Sequence, residues 1–324
     1  MTGPVVVISG ATPDSPPPGI EPAAALADVR YAPDAEALAT AITDAEALFF
    51  WRADRAWVED AFDRATSLRW IQSASDGVDG LLFPALVGSD VAVTNARGVF
   101  DDPIAEWAIG AMCAFATGLH TTIVDQTRGA GWTDDRHRER LAGQHLVIVG
   151  PGPIGRATAV RARALGLTVE AVGRSERDDG TLGRVRPVDR LHEALGRADH
   201  VLDALPLTDE TRHLFDAQAF AAMRPGARFY NVGRGGTVDE PALVEALRNG
   251  VVAGAALDVY EEEPLPASSP LWAMPNVIVS PHICGDVDGW EEAVVGVFVD
   301  NLGRFVRGEA LRNTVDLHAG FGVG

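Results

Sequence analysis

The chain contains no lysine; all 27 of its basic residues are arginine. That excludes a P-loop lysine, a Schiff-base lysine and any reaction whose acid or base is a lysine amine. Cysteine is almost as scarce. Cys113 and Cys284 are too few for a disulfide framework or a cysteine metal cluster, and no metal site is expected. No apolar run approaches the roughly 18 residues of a membrane span, and no basic-then-apolar leader opens the sequence. Positive charge is in deficit overall. The formal net charge of −19 argues against nucleic acid and anionic membranes as partners, because both are polyanions. A soluble, cytoplasmic protein is the expectation.

What is present is apolar and periodic. With 47% hydrophobic residues over 324 positions, the chain is long for a single core, and two domains are expected. Val5-Val6-Val7-Ile8 reads as a buried strand, followed by a Pro/Gly-rich loop over 13–19. Segments 35–44 and 56–65 read as helices, and 47–51, 68–72 and 91–95 as short strands. Strands alternating with helices argue for an α/β unit with a doubly wound parallel sheet. Pro103 then opens a long apolar helix over 104–119, and the alternation restarts. Buried strands are expected at 146–149, 169–172, 200–205, 228–232, 255–259 and 277–280. The last segment, 291–306, is an amphipathic helix that suits packing back onto the first domain.

Gly150-Pro151-Gly152-Pro153-Ile154-Gly155 is G-x-G-x-x-G. It follows an apolar strand and opens a helix over 156–164, the context in which this motif binds a dinucleotide. The glycines permit a tight turn and close backbone approach, and the helix N-terminus receives the pyrophosphate. At the end of the next strand such sites often carry an acid that accepts from the ribose 2′-hydroxyl. Here the strand ends on Gly173, Arg174 and Ser175, with Arg177 close by, and Arg174 lies 19 residues after Gly155. A guanidinium pairs with a 2′-phosphate where a carboxylate would repel it. NADP(H) is the expected preference, with NAD(H) possible.

Open α/β sheets bind ligands at the carboxyl ends of their strands. After 200–205 comes Pro206-Leu207-Thr208; after 228–232 come Gly233 and Arg234; after 255–259 comes Tyr260-Glu261-Glu262-Glu263-Pro264; after 277–280 come Pro281 and His282. An arginine, an acid and a histidine therefore reach one sheet edge. The remaining histidines, among them His120, His137 and His213, have no such context. Cys284 suits packing better than nucleophilic catalysis.

The stretches "YNVGRGGTVDEPALVEALRNGVVAGAALDVYEEEPLP" and "NVIVSPHICG" resemble the D-isomer-specific 2-hydroxyacid dehydrogenase family, in particular its glyoxylate/hydroxypyruvate reductase branch. The resemblance runs from about residue 68 to 315. It implies a Rossmann-type cofactor domain, 98–288, inserted in a flavodoxin-like substrate domain made of 1–97 and 289–324. It also implies a homodimer. By the same resemblance the catalytic residues are Arg234, Glu263 and His282. The implied cofactor set is Gly150, Gly152, Pro153, Ile154, Gly155, Arg174, Ser175, Arg177, Leu205, Pro206, Thr211, Val232, Gly233, Arg234, Asp258, His282 and Gly285, with Asp258 toward the nicotinamide carboxamide.

Such side chains suit reduction of a 2-keto acid. Arg234 can hold the carboxylate, His282 can protonate the carbonyl oxygen, and Glu263 can orient the imidazole and raise its pKa. Ser75, Asp76 and Gly77 match the family loop that binds the substrate carboxylate through backbone N–H groups, and Trp51 can border the same pocket. Asp76 departs from the family pattern. Either it turns away from the substrate carboxylate, or it meets a hydroxyl or amino group. The alternatives are a relative acting on phosphoglycerate, formate or phosphite, and a non-enzymatic dinucleotide sensor similar to the C-terminal-binding corepressors of the same fold.

Overall fold

The computed structural model describes residues 3–132 and 138–318, with the backbone of 321–322; His137 lies outside the described residues. The chain divides into two compact units. One comprises Met1–Phe100 with Val287–Gly324, the other Asp101–Asp286.

The first unit carries five parallel strands: β1 Val5–Ser9, β2 Asp28–Ala32, β3 Ala47–Phe50, β4 Trp70–Ser73 and β5 Ala92–Thr94. Their order is β2-β1-β3-β4-β5, the flavodoxin-like arrangement. Val6, Val7 and Ile8 are fully buried, as a strand covered on both faces requires. β2 has no counterpart among the strands expected from the sequence. Its Asp28 and Arg30 sit on an edge strand, where Arg30 pairs with Asp28 at 3.0 Å and with Asp44 at 2.7 Å, so no apolar run marks it.

The helix Trp290–Arg307 belongs to this unit. Val294, Val295, Phe298 and Leu302 recur at helical spacing and are fully buried. Phe298 stacks on Phe49 with ring centroids 4.3 Å apart and on Trp70 at 5.6 Å. The buried Asn301 donates to Gln72 Oε1 at 3.0 Å and accepts the Arg312 amide at 2.8 Å, which fixes the register of the helix against β4.

The second unit has eight strands: β6 His145–Val149, β7 Thr168–Gly173, β8 Arg177–Asp179, β9 Gly183–Pro187, β10 His200–Asp203, β11 Arg228–Asn231, β12 Gly254–Leu257 and β13 Val277–Val279. The order is β13-β12-β11-β10-β6-β7-β9-β8, parallel except for the antiparallel β8–β9 pair. Chain direction across the sheet reverses between β6 and β10. That is the switch point at which such sheets open a crevice. No single helix among the described residues is long and apolar enough to cross a membrane.

The β8–β9 hairpin likewise has no counterpart among the expected strands, because Arg177-Asp178-Asp179 is polar throughout. It is held to the helix Pro153–Ala164 by Arg156, whose Nε donates to Asp179 Oδ2 at 2.9 Å. Asp179 Oδ1 also accepts the amides of Thr181 and Leu182. Burial opposes ionisation of this carboxyl. The Arg156 bond and the two amides outweigh it and bring its pKa down to about 2. A depressed carboxylate contributes stability above its unfolded pKa and loses it as pH falls through the folded one. Asp179→Asn is therefore expected to cost on the order of 1–2 kcal/mol at neutral pH, discounted for the partly exposed Arg156. Chemical denaturation of both proteins at neutral pH and near pH 2 checks this: the difference should close in acid.

Candidate active site

The motif loop joins β6 to the helix Pro153–Ala164, with Pro153 in the first turn and Gly152 at the N-cap. Gly155 is demanded by packing, since a Cβ there would lie 2.5 Å from the Gly150 carbonyl oxygen. Gly152 is different. A Cβ would meet nothing within 4 Å, so the protein's own packing does not call for glycine. The space kept clear lies where the first helical N–H groups have no intrahelical acceptor, which fits a pyrophosphate. At the end of β7, Arg174, Ser175 and, on β8, Arg177 are exposed. The charge of Arg174 reaches Glu210, whose carboxyl is held below its usual range first by the Thr208 hydroxyl and further by Arg174.

The strand ends on the other side of the switch point converge. After β10, Leu205 and Pro206 lead to Thr211, whose hydroxyl donates to the Pro206 carbonyl at 2.7 Å and accepts the Thr208 amide at 2.8 Å. After β11, Val232 and Gly233 lead to Arg234. Asn231 shapes that turn: its Oδ1 accepts the Gly233 amide at 3.0 Å and its Nδ2 donates to the Arg234 carbonyl at 3.2 Å. Gly235 is obligatory here, because a Cβ would fall 1.9 Å from the Tyr260 carbonyl. The loops after β11 and β12 thus touch backbone to backbone.

Glu263 and His282 are brought together from those loops. His282 Nδ1 lies 2.7 Å from Glu263 Oε2, and Glu263 Oε1 accepts the Tyr260 amide at 2.9 Å. Both carboxylate oxygens are therefore oriented, and Nδ1 is the imidazole nitrogen that Glu263 engages. The Glu263 bond is the main reason the His282 pKa stands above its ordinary value, with burial opposing it. Burial pushes Glu263 up, but the His282 bond, the Tyr260 amide and the charges of His282 and Arg234 prevail and leave it lowered. His282 adopts a left-handed backbone, φ 57°, a strained conformation that surrounding bonds must hold. Of the three adjacent acids, Glu261 pairs instead with His213 Nε2 at 2.6 Å, a partner not foreseen for that histidine.

Asp258 supplies much of that holding. It is buried, with Oδ1 accepting from Ser280 Oγ at 2.6 Å and the Ile283 amide at 3.0 Å, and Oδ2 accepting the Cys284 amide at 3.1 Å. Its carboxylate thereby holds the turn that carries His282. The Tyr260 hydroxyl, 2.7 Å from the Leu257 carbonyl and 2.9 Å from that of Ser280, ties the same turn to β12. Gly285, buried, closes it. Burial, reinforced by Asp258, pushes the Cys284 thiol up, against any thiolate role.

In the first unit, Ser75 is exposed while Asp76 and Gly77 are half-buried. Asn95 Nδ2 donates to the Asp76 carbonyl at 2.6 Å and to Asp76 Oδ1 at 3.2 Å, so the carboxylate has a neighbour of its own. Trp51 is half-buried and packs between Phe49 at 5.4 Å and Trp290 at 6.1 Å.

The family model for the NAD binding domain of D-isomer specific 2-hydroxyacid dehydrogenases matches residues 109–284. Glyoxylate/hydroxypyruvate reductase B of Salmonella schwarzengrund is 34% identical over 271 residues, covering 79% of this chain and 81% of that protein. D-3-phosphoglycerate dehydrogenase of Methanocaldococcus jannaschii is 32% identical over 286 residues, 87% of this chain but only 54% of its own length. The structure of an NADPH-dependent glyoxylate/hydroxypyruvate reductase from Sinorhizobium meliloti, in complex with NADP and sulfate, superposes with a TM-score of 0.83 at 28% identity, covering 99% of this chain and 100% of that one. The chain belongs to the D-isomer-specific 2-hydroxyacid dehydrogenase family.

Proposed function

We propose that the protein is an NADPH-preferring reductase of a small 2-keto acid, glyoxylate or hydroxypyruvate, giving the D-2-hydroxy acid. The observation that carries this is the His282–Glu263 pair set at the same sheet edge as Arg234. In this reading the second unit is the cofactor domain and the first the substrate domain, and the active protein is a cytoplasmic homodimer. The glycine loop and the helix N-terminus at Gly152 hold the pyrophosphate, and Arg174 receives the 2′-phosphate. The nicotinamide, when bound, supplies the hydride for the carbonyl carbon. Arg234 clamps the substrate carboxylate through charge-assisted bonds and polarises the adjacent carbonyl oxygen. His282 Nε2 gives its proton to that oxygen, and Glu263 keeps the ring in the orientation and protonation state for doing so.

The first test is the loss of reduced-nicotinamide absorbance with glyoxylate and hydroxypyruvate, using NADPH and NADH in parallel. Turnover should favour NADPH, and Arg174→Ala should raise the KM for NADPH about tenfold, as loss of one charge-assisted contact does, while sparing NADH. Equal use of both cofactors by the unaltered protein would overturn the role given to Arg174. Gly152→Ala should weaken dinucleotide binding at least as much without lowering Tm, since its Cβ enters open space; calorimetric titration and melting together read both halves.

The pH profile follows from the dyad. Reduction requires protonated His282, whose pKa is raised, so its rate should hold through neutrality and fall as pH rises through that value. Glu263→Gln removes the chief cause of the rise and should move the falling limb toward acid. An unmoved limb in that variant would assign the titration to another group.

A further inference from the structure

Asp203 ends β10, is fully buried, and has no part in the chemistry above. Its Oδ1 accepts the Leu205 amide at 3.0 Å. Its Oδ2 lies 2.5 Å from the Thr237 hydroxyl, and that hydroxyl lies 2.6 Å from the carbonyl oxygen of Arg234. A hydroxyl has one proton to give. With Asp203 ionised, both neighbours of the Thr237 oxygen are acceptors, and one of these two short contacts contains no hydrogen. With Asp203 protonated, both become hydrogen bonds: the acid donates to Thr237, and Thr237 donates to Arg234. The same Arg234 carbonyl also accepts the Thr237 amide and the Asn231 side chain, each at 3.2 Å.

We propose that Asp203 is a positioning residue that, in its protonated form, holds the Arg234 turn through Thr237. The proposal rests on the reading of Arg234 as the clamp on the substrate carboxylate. The surroundings favour the neutral acid. β6 and β11 flank β10 and set Val149 and Asn231 opposite Asp203, both uncharged. Thr237 and the Leu205 amide are the polar contacts of its side chain, and the charged groups of the strand-end loops include Arg212 and His213 after β10, Arg234, Asp239 and Glu240 after β11, Asp258, Glu261 and Glu263 after β12, and His282 after β13. Burial, rather than any of those charges, pushes Asp203 up to about 7 against the pull of its two hydrogen bonds. As pH rises through that value the carboxylate forms, Thr237 turns its proton to Oδ2, and the Arg234 carbonyl loses its shortest donor. The consequence falls on substrate binding, not on proton donation by His282.

Asp203→Asn tests this, because the amide donates to Thr237 at every pH while its carbonyl keeps the Leu205 contact. The infrared difference between the unaltered full-length protein and D203N near pH 5 should show the carbonyl stretch of a protonated carboxylic acid. That band should fade through about pH 7 and shift in Thr237→Val. In steady-state kinetics, the unaltered protein's KM for the keto acid should rise about tenfold between about pH 6 and 8. D203N should keep its low-pH KM, and the kcat limb of His282 should be common to both. Absence of the acid band, or a D203N KM that climbs with that of the unaltered protein, would overturn the proposal. An Arg234→Ala variant with intact turnover would sink the clamp reading instead, and the infrared band and its response to Thr237→Val would still decide whether the protonated chain exists.

Discussion

Strands that end together at one edge of a parallel sheet leave loop amides with no ladder partner, and buried amides must be satisfied. In this protein three buried side chains do so. Asp203 accepts the Leu205 amide, Asn231 accepts the Gly233 amide, and Asp258 accepts those of Ile283 and Cys284. Asp203 and Asn231 are register partners on β10 and β11, each bonding the amide two residues on. The turns that carry Arg234 and His282 are shaped by this row. Topology brings Arg234 and His282 to one edge, and this row fixes the turns that carry them.

The row also separates two kinds of acid. Glu263 sits with a cationic partner and stays ionised, which is what an orienting group for an imidazole needs. Asp203 sits with a hydroxyl and an amide in a fully buried site and is pushed toward the neutral form. One sheet edge thus holds a carboxylate and an acid pushed toward its neutral form. Their environments, not their side-chain types, decide which is which.

Charge is distributed with similar economy. The chain carries −19 formally, and both a 2-keto acid and a phosphorylated dinucleotide are anions. The average field therefore repels the ligands proposed here, and local cations must overcome it at short range. Arg174, Arg177, Arg234 and a histidine biased toward its protonated form by Glu263 are among the groups available at the strand ends for that task.

The amino-acid sequence by itself determined the features that depend on near neighbours. The glycine motif before a helix, the alternation of apolar strands, and the placing of Arg234, Glu263 and His282 just after strands were all legible. Glycine spacing and apolar runs act locally, and strand ends in a parallel sheet share an edge by topology. The edge elements β2 and β8–β9 were not legible, because charged edge strands carry no apolar run. Nor were Asp203, Thr237, Tyr260 and Ser280, the inward role of Asp258, the packing of Trp51, or the bond from Asn95 to Asp76. Each of these depends on a partner about 20 residues away or more, and only the tertiary structure brings the two together. A polar residue inside an apolar strand announces that it has a partner, but the fold decides which one, and with it whether the acid keeps its proton.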